Sequence, residues 1–208
     1  LKIEADKKLK QQKKLVFNKY FVGKEEYCTV GRNVEDGYVC FCENDSSNYI
    51  YYFHLILDSF FGRLMLDPDA ADHGFKGQVT LKKLRDFPVI IPSNKVLQAA
   101  ILLDFSIKTV VDLARKDNDK LFLESTKNLM EELRDDFVME LYVNNFFVNH
   151  HISIVDSFVD VIKTCEGESL SEIVLHVMRT ITDPEGKLLS NMRRFRVLIN
   201  DFSHQSSI

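Results

Sequence analysis

From residue 93 onward, apolar residues recur at the three- and four-residue spacing of one face of an α-helix. Ser93 or Asn94 can cap a first helix, predicted over residues 93–116. A second helix is predicted from about residue 121 to 144, and shorter ones over 152–165, 169–181 and 187–202, with a turn around 144–151. The short connections favour antiparallel neighbours. The apolar positions that define the first two helices are Val96, Leu97, Ala100, Leu103, Ile107, Leu129, Leu133, Phe137 and Leu141.

The first half of the chain has a different pattern. Residues 1–16 are rich in Lys and Gln, which predicts a solvated basic helix or, alternatively, an arm that faces DNA. Two runs of β-branched and aromatic residues, 27–32 and 38–42, flank an Asp36-Gly37 pair, so they predict a β-hairpin. An aromatic helix is predicted over 48–61, with an apolar face made of Tyr49, Tyr52, Phe53, Leu57 and Phe60.

These patterns together predict the α+β class, with a small β-containing domain followed by a predominantly helical region. The predicted boundary lies in the run from Phe87 to Pro92, where two prolines allow only a short or edge strand. We therefore expect a first domain over residues 1–92 and a helical connector or bundle over 93–208.

Composition narrows the possible functions. The chain of 208 residues has a formal charge of −4, which excludes a uniformly basic nucleic-acid binder but permits a local basic stripe. Four cysteines, none in a C-x-x-C pair, predict buried free thiols and a reducing cytoplasm. No stretch has the roughly 18 apolar residues of a membrane span. Because the first residue is Leu1, we expect a fragment of a longer protein.

The segment from Gly74 to Gln98 reads GFKGQVTLKKLRDFPVIIPSNKVLQ. Its order, a glycine loop, V-T-L-x-x-L, then F-P-V-x-x-P and a Gln in the next helix, resembles the end of a target-recognition domain. Such domains occur in specificity subunits of type I restriction-modification systems and in type IIG methyltransferase-endonucleases. The upstream run from Asn48 to Arg63 is similar to the helix that precedes this motif in that family.

A second resemblance lies downstream, in family order. The run from Glu131 to Tyr142 is similar to the D-x-x-V-x-E-L-Y helix that follows the target-recognition domain in related adenine-methylase chains. The resemblance implies sequence-specific recognition of double-stranded DNA. It also implies a methyltransferase subunit or domain as partner, which uses S-adenosylmethionine for N6-adenine methylation, and it allows a restriction or motor subunit as a further partner. This chain would itself bind no cofactor.

Catalytic signatures are absent from the sequence. An adenine methyltransferase needs an N/D-P-P-Y/F motif to hold the flipped base, and the chain contains no Pro-Pro pair. No phosphate-binding G-x-x-x-x-G-K-[ST] loop is present either. His150 and His151 are adjacent, so on a helix they point about 100° apart and do not predict a metal site. We expect a non-catalytic protein.

Candidate DNA contacts are the polar and basic residues on loops and first helical turns of the first half. Arg and Gln side chains can read base edges, whereas Lys mostly contacts phosphates. The alternative function is a helical protein-interaction module without nucleic-acid binding, which the net acidity and the helical second half favour. An enzyme with an unrecognised site is a third, weaker hypothesis. The DNA-binding candidates are Arg32, Asn33, Arg63, Lys76, Gln78, Lys82 and Lys83.

Overall fold

A computed structural model defines the architecture of the chain. It describes the backbone of residues 14–17, 21–22, 28–31, 38–42, 49–66, 76–77, 81–116, 120–165 and 167–205. Side chains are described for 49–66, 82–114, 121–165 and 167–200. The chain forms two compact units, Leu1–Ile91 and Pro92–Ile208.

The strands of the first unit are short. In a three-stranded antiparallel sheet, β1 (Lys14–Phe17) lies between β3 (Cys28–Gly31) and β4 (Tyr38–Cys42). A separate antiparallel pair joins β2 (Phe21–Val22) to β5 (Lys76–Gly77). The predicted hairpin is wrong, because β3 and β4 each use β1 as their partner instead of pairing with each other. The predicted helix over 1–16 is wrong where β1 begins, and residues 1–13 lie outside the described residues.

Helix α1 (Tyr49–Asp58) packs against β1 and β3 and is followed directly by α2 (Phe60–Leu66). Tyr52 is fully buried, and its hydroxyl donates to the carbonyl of Ile90 at 2.8 Å. The predicted helix therefore exists, but its predicted apolar face extends to Phe60, beyond the end of the helix at Asp58. Phe60 is 47% exposed, because the chain bends at Ser59 and starts a new helix there.

A short helix, α3 (Leu81–Arg85), precedes a segment without regular secondary structure that contains Pro88. The segment over residues 87–93 is not a strand. Proline has no backbone N–H to donate to a sheet. Two prolines in six residues therefore interrupt the regular hydrogen bonds that would make this segment a strand.

The predicted α+β class is wrong for the part of the chain whose side chains are described. Of those residues 82% are helical and none belongs to a strand. Two runs of β-branched and aromatic residues in the first 45 residues suggested a β-containing domain, whereas the described buried side chains belong to elements with helical periodicity.

The second unit is built from helices. The two long helices, α4 and α5, pack against each other, and α7 contacts both of them. α9 packs on α7, α8 and α5. The turn predicted around residues 144–151 is wrong over 144–149, which form a short helix, whereas His150 and His151 do form a turn. The helices are α4 (Asn94–Lys116), α5 (Lys120–Tyr142), α6 (Asn144–Asn149), α7 (Ile154–Lys163), α8 (Leu170–Thr182) and α9 (Lys187–Gln205).

Aromatic side chains form much of the core of this unit. Phe137 of α5 meets Phe158 of α7 edge to face, with ring centroids 6.2 Å apart. The ring centroids of Phe147 on α6 and Phe195 on α9 are 4.4 Å apart, so the short helix packs against the last one. Cys165 is a buried free thiol, as predicted, and burial raises its pKa. The side chains of the other cysteines lie outside the described residues.

Candidate functional site

Of the predicted DNA contacts, Arg63, Lys82 and Lys83 have described side chains. Arg63 is ion-paired, whereas Lys82 is exposed. Arg63 of α2 forms an ion pair with Asp58 at 2.6 Å, and both side chains are about 15% exposed. To read a base, Arg63 would first have to break this pair. On α3, Lys82 and Arg85 are exposed and Lys83 is half-buried. Three cations within one helical turn make α3 the most basic described element of the first unit.

The remaining candidates cannot be placed in the same way. Arg32, Asn33 and Gln78 lie outside the described residues, and Lys76 is described only by its backbone in β5. The contact of the seven candidates with DNA therefore stays a prediction.

Glu140 forms a buried polar junction in the second unit. Its Oε2 accepts hydrogen bonds from the backbone N–H groups of Ile154 (2.7 Å) and Val155 (2.8 Å), the first residues of α7. Its Oε1 accepts from the Ser153 hydroxyl at 3.2 Å. The carboxylate thus satisfies N–H groups that have no partner within the helix. Burial raises the pKa of Glu140, although the three hydrogen bonds oppose this effect.

Asn191 of α9 completes the junction. Its side-chain N–H groups donate to the Ser153 carbonyl at 3.1 Å and to the Ser157 hydroxyl at 2.9 Å. The Ser153 hydroxyl also accepts from the N–H of Asp156, which caps α7 from within. Three helices, α5, α7 and α9, are therefore joined by hydrogen bonds around one helix N-terminus.

A second charged contact links α5 to α9. The Arg196 guanidinium lies 2.6 Å from Glu132 and 3.5 Å from Asp136. Asp136 is only 6% exposed, and burial raises its pKa from 3.8 to about 7, with Arg196 acting in the opposite direction. Asp136 is therefore a carboxyl group with a raised pKa that lies at the contact between α5 and α9.

These groups do not form a recognisable catalytic arrangement. The oxygens of Glu140 already accept hydrogen bonds from Ser153, Ile154 and Val155, which leaves it poorly placed as a general base. His150 packs on Phe146 with ring centroids 4.6 Å apart. Within the described ranges, no group of three or more His, Cys, Asp or Glu side chains is arranged to hold a metal ion.

Sequence reasoning singled out the E-L-Y run but missed the role of its glutamate. The run around Glu140 gives no sign of its backbone partners, which lie 14 and 15 residues further along. The one available signal was Ser153 followed by an acid at Asp156, a common N-cap pattern. It locates the start of α7 but not the carboxylate that reaches it.

Comparison with protein-family models, with curated proteins and with solved structures finds no match for this chain. Among the helices within the described residues, none is long and apolar enough to cross a membrane.

Proposed function

We propose that this chain is a non-catalytic DNA target-recognition component of a restriction-modification system. It acts in the cytoplasm, with an N6-adenine methyltransferase subunit or domain as partner. The sequence motifs in family order motivate the proposal. The structural observation that supports it is α3, the basic turn that lies inside the first motif and exposes Lys82 and Arg85.

Lysine and arginine on such a turn suit the phosphate backbone of a duplex. Each neutralised phosphate releases counterions, so the logarithm of the binding constant falls with the logarithm of salt concentration by about 0.9 per contact. Two contacts from α3 would therefore contribute about two to that slope. Arg63, paired with Asp58, is a poorer candidate for the encounter with DNA.

The experiment is a titration of duplex binding at several salt concentrations, in which fluorescence anisotropy measures the bound fraction. The variant Lys82→Ala/Arg85→Ala removes the two exposed charges of α3. The matched control, Lys163→Ala/Arg179→Ala, removes two exposed charges from α7 and α8. We expect the α3 variant to bind more weakly with a salt slope smaller by about two, and the control to match the parent chain. Equal slopes in all three proteins would contradict the assignment of α3.

A second candidate function is a helical protein-interaction module. The observation that favours it is the start of α5, where Leu121 is 88% and Phe122 54% exposed. Phe122 borders a groove of about 450 Å³ whose lining includes Leu129, Leu189 and Met192. The groove also has polar and charged lining residues, among them Glu132 and Arg196. Large exposed apolar residues rimmed by polar ones are typical of a surface that a partner covers. Absence of any salt-sensitive duplex binding would favour this function over DNA recognition.

A further inference from the structure

Basic residues are concentrated in the first half of α9. Between residues 187 and 200 there are four Lys or Arg residues and no Asp or Glu, on a chain whose net charge is −4. Two of the four face carboxylates. Arg196 contacts Glu132 and Asp136, and Lys187 lies 3.8 Å from Asp160. The other two are Arg193 and Arg194.

Arg193 and Arg194 are exposed and are held by backbone carbonyls. Nη1 of Arg193 donates to the Pro184 carbonyl at 3.4 Å, and Nη2 of Arg194 donates to the His150 carbonyl at 3.3 Å. No ion pair joins either arginine to a carboxylate among the described residues. A carbonyl is neutral and occupies one of the five N–H donors of a guanidinium, so each side chain is oriented while keeping its charge and most of its donors.

Both arginines line the same surface depression, which has a volume of about 460 Å³. Among the described residues its wall also includes His150, Ser190, Val197 and Leu198, and none of the described lining residues is a carboxylate. Arg194 also borders a neighbouring depression of about 610 Å³, and Arg193 borders the groove of about 450 Å³ described above. Both of these have carboxylates in their walls, Glu140 and Asp156 in the first and Glu132 in the second. The Arg193–Arg194 depression is therefore the one whose described lining selects for an anion.

We propose that the Arg193–Arg194 depression binds a phosphate group. Guanidinium groups pair with phosphate oxygens through two parallel N–H···O bonds, and the Ser190 hydroxyl supplies a further donor in the same wall. The phosphate belongs either to a nucleic-acid backbone or to a small phosphorylated molecule. This site goes beyond the proposed function and does not rest on it, since the DNA contacts proposed above lie on α3 of the other unit.

The test uses the variant Arg193→Gln/Arg194→Gln together with each single substitution. The control, Lys163→Gln/Arg179→Gln, removes the same charge from exposed positions on α7 and α8. Circular dichroism and thermal unfolding check that each variant is folded. Binding of inorganic pyrophosphate and of citrate is measured by calorimetry, and binding of a short duplex by anisotropy.

We expect pyrophosphate to bind the parent chain and the control equally, and to bind the double variant roughly tenfold or more weakly, with intermediate single variants. If the double variant loses duplex binding as well as pyrophosphate binding, the ligand is the phosphate of a nucleic acid. A loss confined to pyrophosphate identifies a small phosphorylated ligand. The proposal is overturned if pyrophosphate does not bind the parent chain, if the folded double variant binds it as tightly as the control, or if citrate binds equally well. Loss of duplex binding on changing α3 with pyrophosphate binding intact separates this site from the proposed function.

Discussion

The two units join their helices by different physical means. In the first unit, α1 and α2 meet at a close backbone approach. Ser59 donates its hydroxyl to the Ile56 carbonyl at 2.6 Å and accepts from the N–H of Gly62 at 3.0 Å. A Cβ at Gly62 would lie 2.0 Å from the Ile56 carbonyl oxygen. This join depends on glycine having no side chain.

In the second unit, α5, α7 and α9 meet around buried charge. Glu140 is held by two backbone N–H groups and a hydroxyl, and Asp136 faces Arg196 across the α5–α9 contact. The close approach at Gly62 leaves no room for an added atom and is made by groups that do not titrate, although the Asp58–Arg63 ion pair also spans α1 and α2. A join made with a buried carboxylate responds to pH.

Gly62→Ala should destabilise the first unit by about 3 kcal/mol or more, because the new methyl group meets backbone and cannot be relieved by a side-chain rotation. Denaturant unfolding of the variant measures the change. Met65→Ala on the same helix is the control and should change the free energy of unfolding by less than about 0.5 kcal/mol, since Met65 is exposed. A loss below about 1 kcal/mol for Gly62→Ala would refute the steric account.

Glu140→Ala should cost about 2–3 kcal/mol, since the N–H groups of Ile154 and Val155 lose a charged acceptor in a buried place. Urea unfolding measures the loss, and hydrogen exchange of the first turn of α7 should accelerate. The control is Glu124→Ala on the same helix, where an exposed pair with Lys127 contributes little. Equal stability of the two variants would show that Glu140 does not hold the junction.

Asp136→Asn should flatten the dependence of stability on pH. The folded chain keeps a proton on Asp136 up to about pH 7, whereas the unfolded chain releases it near the ordinary pKa of 3.8. The folded state therefore binds more protons in this window, and stability falls as pH rises through it. Glu140 acts in the same direction, because burial also raises its pKa.

Between about pH 5 and about pH 8 we expect the parent chain to lose about 2 kcal/mol from Asp136 and the Asn variant to lose less. Thermal unfolding across this range measures both slopes. The charged groups around Asp136 that also shape the curve are Arg196 on α9 and Glu132 and Asp135 on α5. Identical slopes in the two proteins would place the pH response elsewhere.

Ser169→Ala should have the smallest effect, about 1 kcal/mol. Ser169 and Glu172 form a capping box at the start of α8, in which the carboxylate accepts from the backbone N–H of Ser169 at 2.7 Å. Ser171→Ala, exposed in the same turn, is the control for the substitution itself. Thermal unfolding should separate the two variants, and coincident curves would argue that the cap is dispensable.

The helices of the second unit could be predicted from sequence because their signal is local. Ala100, Leu103 and Ile107 recur at helical spacing and are buried, and Leu133 and Phe137 behave in the same way on α5. Apolar spacing reports which face of a helix will be covered, so it needs no knowledge of the partner. These helix predictions are confirmed.

What the sequence could not provide were contacts between distant residues. Nothing near Glu140 indicates that its partners are Ile154 and Val155, because α6 and a turn lie between them. The predicted hairpin was wrong for the same reason, since the Asp36-Gly37 pair suggested that β3 pairs with β4, whereas β3 pairs with β1. The bend that exposes Phe60 depends on a hydrogen bond from Ser59 to the preceding turn, which the apolar pattern does not encode.

DNA recognition is the central claim, and selection from a randomised duplex pool at low and moderate salt tests it most directly. The chain is incubated with the pool, retained duplexes are sequenced, and the selection is repeated with the methyltransferase partner added. We predict an enriched sequence motif whose recovery falls as salt rises, and weaker retention by Lys82→Ala/Arg85→Ala. Retention without any enriched motif, or no retention at either salt with or without the partner, would contradict target recognition.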